Sequence, residues 1–162
     1  QQYDVCPFSE SFQYIPMNVS FELLQKILKP GGKVVICDFF KTEHHGDGGP
    51  GDGSFGGGHA MADFYRMVKE SKFELIRDEN ITSRVSPNLQ LVNDFLHNTI
   101  KPVGLTLNKY LGDNYPKLSW IAHKLLRKKL DKMNFKYFAG HRSKATFERY
   151  KTYHLLVCQL KA

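Results

Sequence analysis

The stretch LKPGGKVVICDFF, residues 28–40, decides the fold. Its first part contains a proline and two glycines, which end a helix and permit a left-handed turn. Its second part, residues 33–40, is almost wholly apolar, which predicts a strand that is buried on both faces. Such strands belong to parallel sheets covered by helices, so the segment predicts an α/β domain.

The other predicted elements lie on either side of this strand. In chain order they are a strand at residues 3–8, a helix at 19–28, a glycine-rich loop at 41–58, a helix at 60–71, a strand at 73–81, a helical stretch from 87 to about 149 and a strand at 153–160. The helical stretch is expected to break at Pro102, Gly112, Pro116 and Gly140. Periodicity alone indicates half of a doubly wound sheet and does not indicate an enzyme.

The loop at residues 41–58 holds eight of the thirteen glycines and is expected to be mobile and to lie over the carboxyl ends of the strands. It also contains His44, His45, Asp47 and Asp52 and is followed by His59. The spacing of these side chains matches no metal-ligand motif, so no metal site is expected. Solvated side chains, or a general base supplied when the loop closes, are the alternatives.

Composition bounds the class of protein. The 162 residues are 41% hydrophobic and 24% charged, which suits one globular domain. No apolar run reaches the roughly 18 residues of a membrane span. Three cysteines without a CxxC pair predict neither a disulfide framework nor a zinc site, and reduced thiols suggest a cytoplasmic protein.

The formal net charge is +7, with many cations in an amphipathic helix at residues 123–132. A solvated face, or attraction to an anionic substrate, a membrane surface or nucleic acid, could account for them.

Three segments resemble class I S-adenosylmethionine-dependent methyltransferases. Residues 3–16, YDVCPFSESFQYIP, resemble the fourth-strand motif of that family. Residues 28–38 resemble its turn into the fifth strand, and residues 147–151, FERYK, precede a strand that resembles its closing antiparallel strand. The resemblance implies the C-terminal half of a Rossmann-like sheet, with the last strand inserted between the two before it. Residues 1–86 would be the core, 87–146 a helical insertion or lid, and 147–162 the closing strand.

The sequence departs from the family where the cofactor is concerned. The family's glycine loop after the first strand and its acidic residue after the second are missing, and residues 46–58 cannot replace them because they follow the fifth strand. The resemblance thus implies a fragment that is inactive alone. Its first strand, at residues 3–8, would be an exposed edge that pairs with the missing half or another chain, with self-association as an alternative.

The resemblance and the loop assign roles to individual residues. The expected catalytic residues are Asp38, Tyr14 and His59; the expected cofactor-binding residues are Ser9, Glu10 and Tyr14; the expected substrate-binding residues are Phe39, Phe40, His45 and Tyr65. Asp38 lies at the carboxyl end of the buried strand, where open α/β sheets bind ligands. Its D-F-F sequence is similar to D-Y-C in phosphoethanolamine methyltransferases, where the Asp belongs to the active site. The structural alternatives are helix or turn capping for Glu10 and Asp38 and an ordinary half-buried aromatic for Tyr14.

The function expected from the resemblance is methyl transfer from S-adenosylmethionine to a small molecule. The aromatic-rich insertion would cap the acceptor, or would pack for dimerisation. One rival is a nucleic-acid methyltransferase, which the pI of about 9.3 suggests. Against it, the basic residues form no recognised RNA-binding motif, the N/D-P-P-Y/F pattern is absent, and nucleic acid is not expected as a partner. The other rival is a non-catalytic piece, either a partner subunit or a pseudo-enzyme.

Overall fold

The computed structural model describes residues 2–139 and 141–161. The elements, in chain order, are β1 (Tyr3–Ser9), a 3₁₀ turn (Phe12–Tyr14), α1 (Met17–Ile27), β2 (Leu28–Lys41), α2 (Met61–Glu70), β3 (Phe73–Asn80), α3 (Thr82–Phe95), a π-helical turn (Leu96–Ile100), α4 (Lys101–Asn114), α5 (Pro116–Met133), a second π-helical turn (Asn134–Phe138), α6 (Lys144–Tyr150) and β4 (Lys151–Leu160). The four strands form one sheet in the order β1-β2-β4-β3.

The sheet confirms the predicted topology. Strand β1 runs parallel to β2, with Phe8 opposite Ile36. Strand β4 runs antiparallel to both β2 and β3 and lies between them. The fold is therefore α/β, with the last strand inserted between the two that precede it in the chain.

The start of β2 differs from the sequence prediction. Pairing begins at Leu28, opposite Tyr3, rather than at Lys33. The register between β1 and β2 then shifts before Val5 pairs with Lys33, and the extra residues of β2 include Gly31, which has a φ of +76°. A side chain at the next residue, Gly32, would bring its Cβ within 2.8 Å of a backbone oxygen. Glycine is required at this turn because the backbone folds back closely on itself.

Strand β2 was expected to be buried on both faces, and only one face is. Along it, fully buried side chains alternate with half-buried ones. The buried face carries Val34, Ile36 and Phe40, which join the main core under α1 and α2. The other face is covered in part by a smaller cluster of Phe55, Phe147 and Tyr153.

Strand β1 lies at one edge of the sheet. One side of it pairs with β2, and its other side pairs with none of the described strands. Tyr3 and Val5 on β1 are each 53% exposed. Pairing of this edge with another segment or chain stays a prediction.

The helical segment departs most from expectation. It begins at Thr82 rather than near Pro87, and the chain stays helical through Pro102 and Gly112. A break does occur at Tyr115, which has extended φ before Pro116. The expected break at Gly140 lies outside the described residues. Helices α4 and α5 fully bury none of their side chains, and a role of residues 87–146 as a lid stays a prediction. No helix in the described part of the chain is both long and apolar enough to span a membrane.

The centre of the main core supplies a stability prediction. Phe12 is fully buried, and its ring meets a group of aromatic rings: Phe8, Phe21, Phe40, His59 and Phe64. We expect Phe12→Ala to lower the free energy of unfolding by about 3–5 kcal/mol, because it leaves a cavity among rings that cannot all move inward. Urea unfolding followed by circular dichroism measures this. Tyr14→Ala, at a side chain that is 77% exposed, is the control and should change stability by no more than about 0.5 kcal/mol. Equal losses for the two variants would contradict the packing described here.

Candidate functional site

The candidate site lies where β1 and β2 end and β4 begins. Glu10 directly follows β1 and is the one non-glycine residue among those described with a positive φ, +50°. Its backbone N–H donates to the carbonyl of Cys37 on β2, at 2.9 Å. Its carboxylate Oε1 accepts from the hydroxyl of Tyr153 on β4, at 3.0 Å. Left-handed backbone at such a residue is uncommon and frequently marks functional sites, so Glu10 is the first residue to consider.

Tyr153 donates the hydrogen bond in this pair. Burial, and then the hydrogen bond to the Glu10 carboxylate, raise the pKa of Tyr153 well above its usual value. The phenol therefore stays protonated, and the Glu10 carboxylate keeps one defined donor. The pair presents an exposed carboxylate whose orientation is set from the sheet.

Asp38 lies beside this pair but is fully buried. Its Oδ2 accepts from the backbone N–H of Gln13 at 3.1 Å, and its Oδ1 accepts from the N–H of Phe39 at 2.8 Å. Burial raises the pKa of Asp38, while the backbone donors act in the opposite direction. In this structure Asp38 fastens the 3₁₀ turn to the end of β2, which is the capping alternative considered from the sequence.

His59 holds the same turn from its other end. Its Nε2 lies 3.1 Å from the carbonyl oxygen of Phe12 and 3.0 Å from that of Ile15. Both neighbours are acceptors, so Nε2 carries the proton and donates. Asp38 and His59 were both predicted to be catalytic and lie 21 residues apart in the sequence. Both bond to the backbone of the 3₁₀ turn segment and position it.

The remaining predicted residues divide into two groups. Ser9 and Tyr14 are exposed near Glu10, and half-buried Phe39 lies on the same face of the sheet as Tyr153. Phe40 needs correction as a substrate-binding residue, because it points to the opposite face, where it is 1% exposed within the core. Tyr65 also lies elsewhere, on α2, where its hydroxyl donates to Asp78 of β3 at 2.6 Å.

The glycine-rich loop is held by several contacts, and its expected mobility stays a prediction. The carboxylate of Asp47 accepts from the N–H of Gly49 at 2.8 Å, from Arg149 at 2.7 Å and from the hydroxyl of Tyr150 at 3.1 Å. The Arg149 guanidinium is the main cause that lowers the pKa of Asp47 to about 2. His45, predicted to contact substrate, is half-buried in the first turn of this loop. No group of three metal-ligating side chains forms within residues 2–139 and 141–161.

Lys151 is a residue that the sequence analysis missed. It is fully buried at the start of β4, and its Nζ donates to the carbonyl of Gly57 at 2.5 Å. The same Nζ lies 5.2 Å from the centre of the Phe39 ring. Burial lowers the pKa of Lys151 to about 8, assisted by the nearby charge of Lys41. Lys151 ties the far end of the loop to the sheet beside Phe39.

Tyr153 was missed as well. The alternation of side chains along β4 could have indicated both residues. It places Lys151 and Tyr153 on one face of the sheet and His154 and Leu156 on the other.

Comparison with known proteins supports this fold. No protein-family model matches the chain, and no curated protein matches it in sequence. Solved structures do match. A Galdieria sulphuraria protein assigned as a sarcosine dimethylglycine methyltransferase is 14% identical with a TM-score of 0.59, and the match covers 99% of this chain and 53% of that one.

Two further structures match in the same way. The cyclase SpnF is 15% identical with a TM-score of 0.54, over 99% of this chain and 50% of that one. A Haemonchus contortus phosphoethanolamine N-methyltransferase, bound to phosphomonomethylethanolamine and S-adenosylhomocysteine, is 17% identical with a TM-score of 0.54, over 98% of this chain and 33% of that one.

The chain has a class I S-adenosylmethionine-dependent methyltransferase fold. More particularly, it has the arrangement of the last strands of that fold, with the final strand antiparallel and a helical insertion before it. It spans about half the length or less of these three solved structures.

The contacts of Asp47 predict how the loop is held. Asp47→Ala removes the acceptor shared by Gly49, Arg149 and Tyr150, so we expect faster amide hydrogen exchange in peptides from residues 42–56 and unchanged exchange in β2. Mass spectrometry of exchanged peptides measures both. Glu43→Ala, at a side chain 88% exposed in the same loop, is the matched control. Unchanged exchange at residues 42–56 in Asp47→Ala would show that the loop is held by other contacts.

Lys151 predicts a pH dependence of stability. Its pKa is lower in the folded chain, about 8, than the ordinary value of about 10.5, so between these pH values the unfolded state binds more protons. The contribution of Lys151 to the free energy of unfolding therefore rises as the pH is raised from 8 to 10.5, by up to about 3 kcal/mol. Urea unfolding across this range should show the rise in the parent chain and a smaller one in Lys151→Met. The same substitution at the exposed Lys69 should preserve the parent profile; a parent-like profile in Lys151→Met would refute the assignment.

Proposed function

We propose that the chain forms the acceptor side of a small-molecule methyltransferase that uses S-adenosylmethionine. The observation that carries the proposal is the sheet itself: β4 enters antiparallel between β2 and β3, Glu10 directly follows β1, and Asp38 lies near the carboxyl end of β2. Ligands of open α/β sheets bind outside the carboxyl ends of the strands. The similarity of the fold to solved methyltransferases supports methyl transfer as the reaction at this edge of the sheet.

The residues at this edge fit one part of the cofactor. Ser9 at the end of β1 and Glu10 and Tyr14 beyond it are all exposed, and a carboxylate is a suitable partner for the amino group of the methionine portion. When bound, S-adenosylmethionine supplies a methyl group on a positively charged sulfur. Asp38 and His59 would contribute by fixing the turn that carries Tyr14, since each bonds to the backbone of that turn.

The acceptor that suits this edge is a small molecule with an amine or hydroxyl nucleophile. Methyl transfer is an in-line displacement, so the protein mainly positions the nucleophile and excludes water. Phe39 would supply an apolar wall for this acceptor, on the same face of the sheet as Tyr153, whose hydroxyl orients the Glu10 carboxylate for the cofactor. The fold alone does not decide the reaction, because SpnF shares it and is a cyclase.

Cofactor binding by the chain is the first test. The contacts that the family makes through its glycine loop and ribose-binding carboxylate have no counterpart at the expected positions of this sequence. Each missing hydrogen bond is worth about 0.5–1.5 kcal/mol, so we expect millimolar rather than micromolar affinity and no methyl transfer by the chain alone. In an NMR titration with S-adenosylmethionine and S-adenosylhomocysteine, the amide signals of residues 9–14 should move. Those of Lys29, Gly31 and Gly32, at the other end of β2, should not.

Substitutions sharpen this test. Glu10→Gln should weaken the response of residues 9–14, because it removes the charge and keeps an acceptor for Tyr153. Glu22→Gln, the same change at an exposed position of α1, should leave it unaltered. Signal changes confined to another region would contradict the proposed cofactor wall. Micromolar binding by the monomeric chain would show a complete binding domain of a different design.

A further inference from the structure

Helix α5 exposes apolar and cationic side chains together. Its eighteen residues include six cations and one anion; the cations are Lys117, Lys124, Arg127, Lys128, Lys129 and Lys132. Leu118 is 60% exposed, Ile121 is 47% exposed and Leu125 is 77% exposed. Solvated helix faces carry charges, and isolated exposed apolar residues are ordinary, but a row of large aliphatic side chains among cations is not explained by solvation.

The three aliphatic side chains form one row. They are spaced at i, i+3 and i+7, which places them on the same side of a helix. Lys117, Lys124 and Lys128 lie along one flank of this row at helical spacing. Trp120 is 64% exposed on that same flank, and the Nζ of Lys124 lies 4.9 Å from the centre of its ring. We name the row and this flank the α5 surface.

The α5 surface is distinct from the side that packs within the protein. Helix α5 contacts α4 through its other side, where His123 Nε2 lies 2.7 Å from Asn108 Oδ1 and where Ala122 and Leu130 are half-buried. Packing on α4 therefore leaves Leu118, Ile121 and Leu125 exposed rather than covering them.

We propose that the α5 surface binds an anionic lipid membrane, with the helix lying in the plane of the headgroups. Helices that lie at this interface combine a Lys- and Arg-rich polar face with Trp and Leu on the other side. The aliphatic row would enter the boundary between headgroups and acyl chains, and the flanking cations would pair with anionic headgroups. At about 1.5 Å per residue, α5 would lie along about 27 Å of surface. This inference does not depend on the proposed methyl transfer.

The charges and the aliphatic row favour a membrane over the other occupants. Two copies of the chain that met through this surface in a symmetric dimer would bring six flanking lysines together, three from each copy, and these repel. Nucleic acid would satisfy the cations through its phosphates but would leave the aliphatic row in water. An anionic bilayer surface accommodates both features.

The single tryptophan of the chain is Trp120, so its fluorescence reports on the α5 surface alone. The test uses the whole 162-residue chain with vesicles of phosphatidylcholine, and with vesicles in which about a third of the lipid is phosphatidylserine. We expect co-sedimentation with the anionic vesicles only, accompanied by a shift of Trp120 emission to shorter wavelength. Raised salt should weaken the binding because the attraction is partly electrostatic.

Three variants separate the contributions. Lys117→Gln combined with Lys128→Gln should weaken binding by about 25-fold, at roughly fivefold for each cation near an anionic surface. Leu125→Ala should weaken it by about tenfold and reduce the emission shift. Because Leu125 is 77% exposed, that change should not unfold the chain. Lys69→Gln combined with Lys72→Gln, which removes two exposed cations at the end of α2, should change binding by no more than about twofold.

Several results would overturn the proposal. They are equal binding to neutral and anionic vesicles, no binding to either, or anionic binding that the control pair weakens as much as the α5 pair. Binding of an RNA oligonucleotide through the same lysines, without an emission shift on vesicles, would assign the surface to nucleic acid. A concentration-dependent emission shift without lipid would assign it to contact between copies.

Discussion

The double pairing of β2 is the constraint on which the rest of the structure depends. Residues 33–37 pair in parallel with β1, and residues 33–41 pair antiparallel with β4. Because side chains alternate along a strand, this register fixes the face of each residue at the end of β2. Asp38 and Phe40 are placed towards α1 and α2, and Cys37 and Phe39 towards Tyr153. A slip of one residue would exchange the two faces, so the site and the core are determined by the same hydrogen bonds.

The order of helices and strands could be predicted from local pattern, because apolar periodicity and glycine-proline turns act within a few residues. The antiparallel insertion of β4 required the family resemblance, since periodicity does not specify strand neighbours. One error was avoidable from the sequence alone. Phe39 and Phe40 are adjacent in a strand and therefore face opposite sides, so they could not both line one substrate wall. In place of the break expected at Pro102, a π-helical turn, Leu96–Ile100, leads directly into α4. The break expected at Gly112 is absent because a single glycine in a helix costs only about 1 kcal/mol.

The contacts that organise the candidate site could not be predicted in this way, because they join distant parts of the chain. Tyr153 and Glu10 are 143 residues apart, and Lys151 and Gly57 are 94 apart. Composition indicated that the glycine-rich loop has unusual backbone freedom. It could not indicate that Asp47 would meet Arg149, 102 residues later, and so be held against α6. Glycines set which conformations a loop can adopt, whereas the carboxylates and their partners select one of them.

The distribution of charge connects the candidate site with the helical segment. Five of the seven net positive charges of the chain lie on α5, which leaves the remainder close to neutral. The site edge contributes carboxylates at Glu10 and Asp38. Of the two lysines there, Lys151 is buried and donates to the carbonyl of Gly57, and Lys41 lies opposite it at the end of β2. The cations of α5 would therefore attract an anionic surface, and the Glu10 carboxylate would attract a cationic group. Since these charges are separated on different elements and opposite in sign, a membrane bound at α5 and the cationic amino group of a cofactor at Glu10 would not compete for the same side chains.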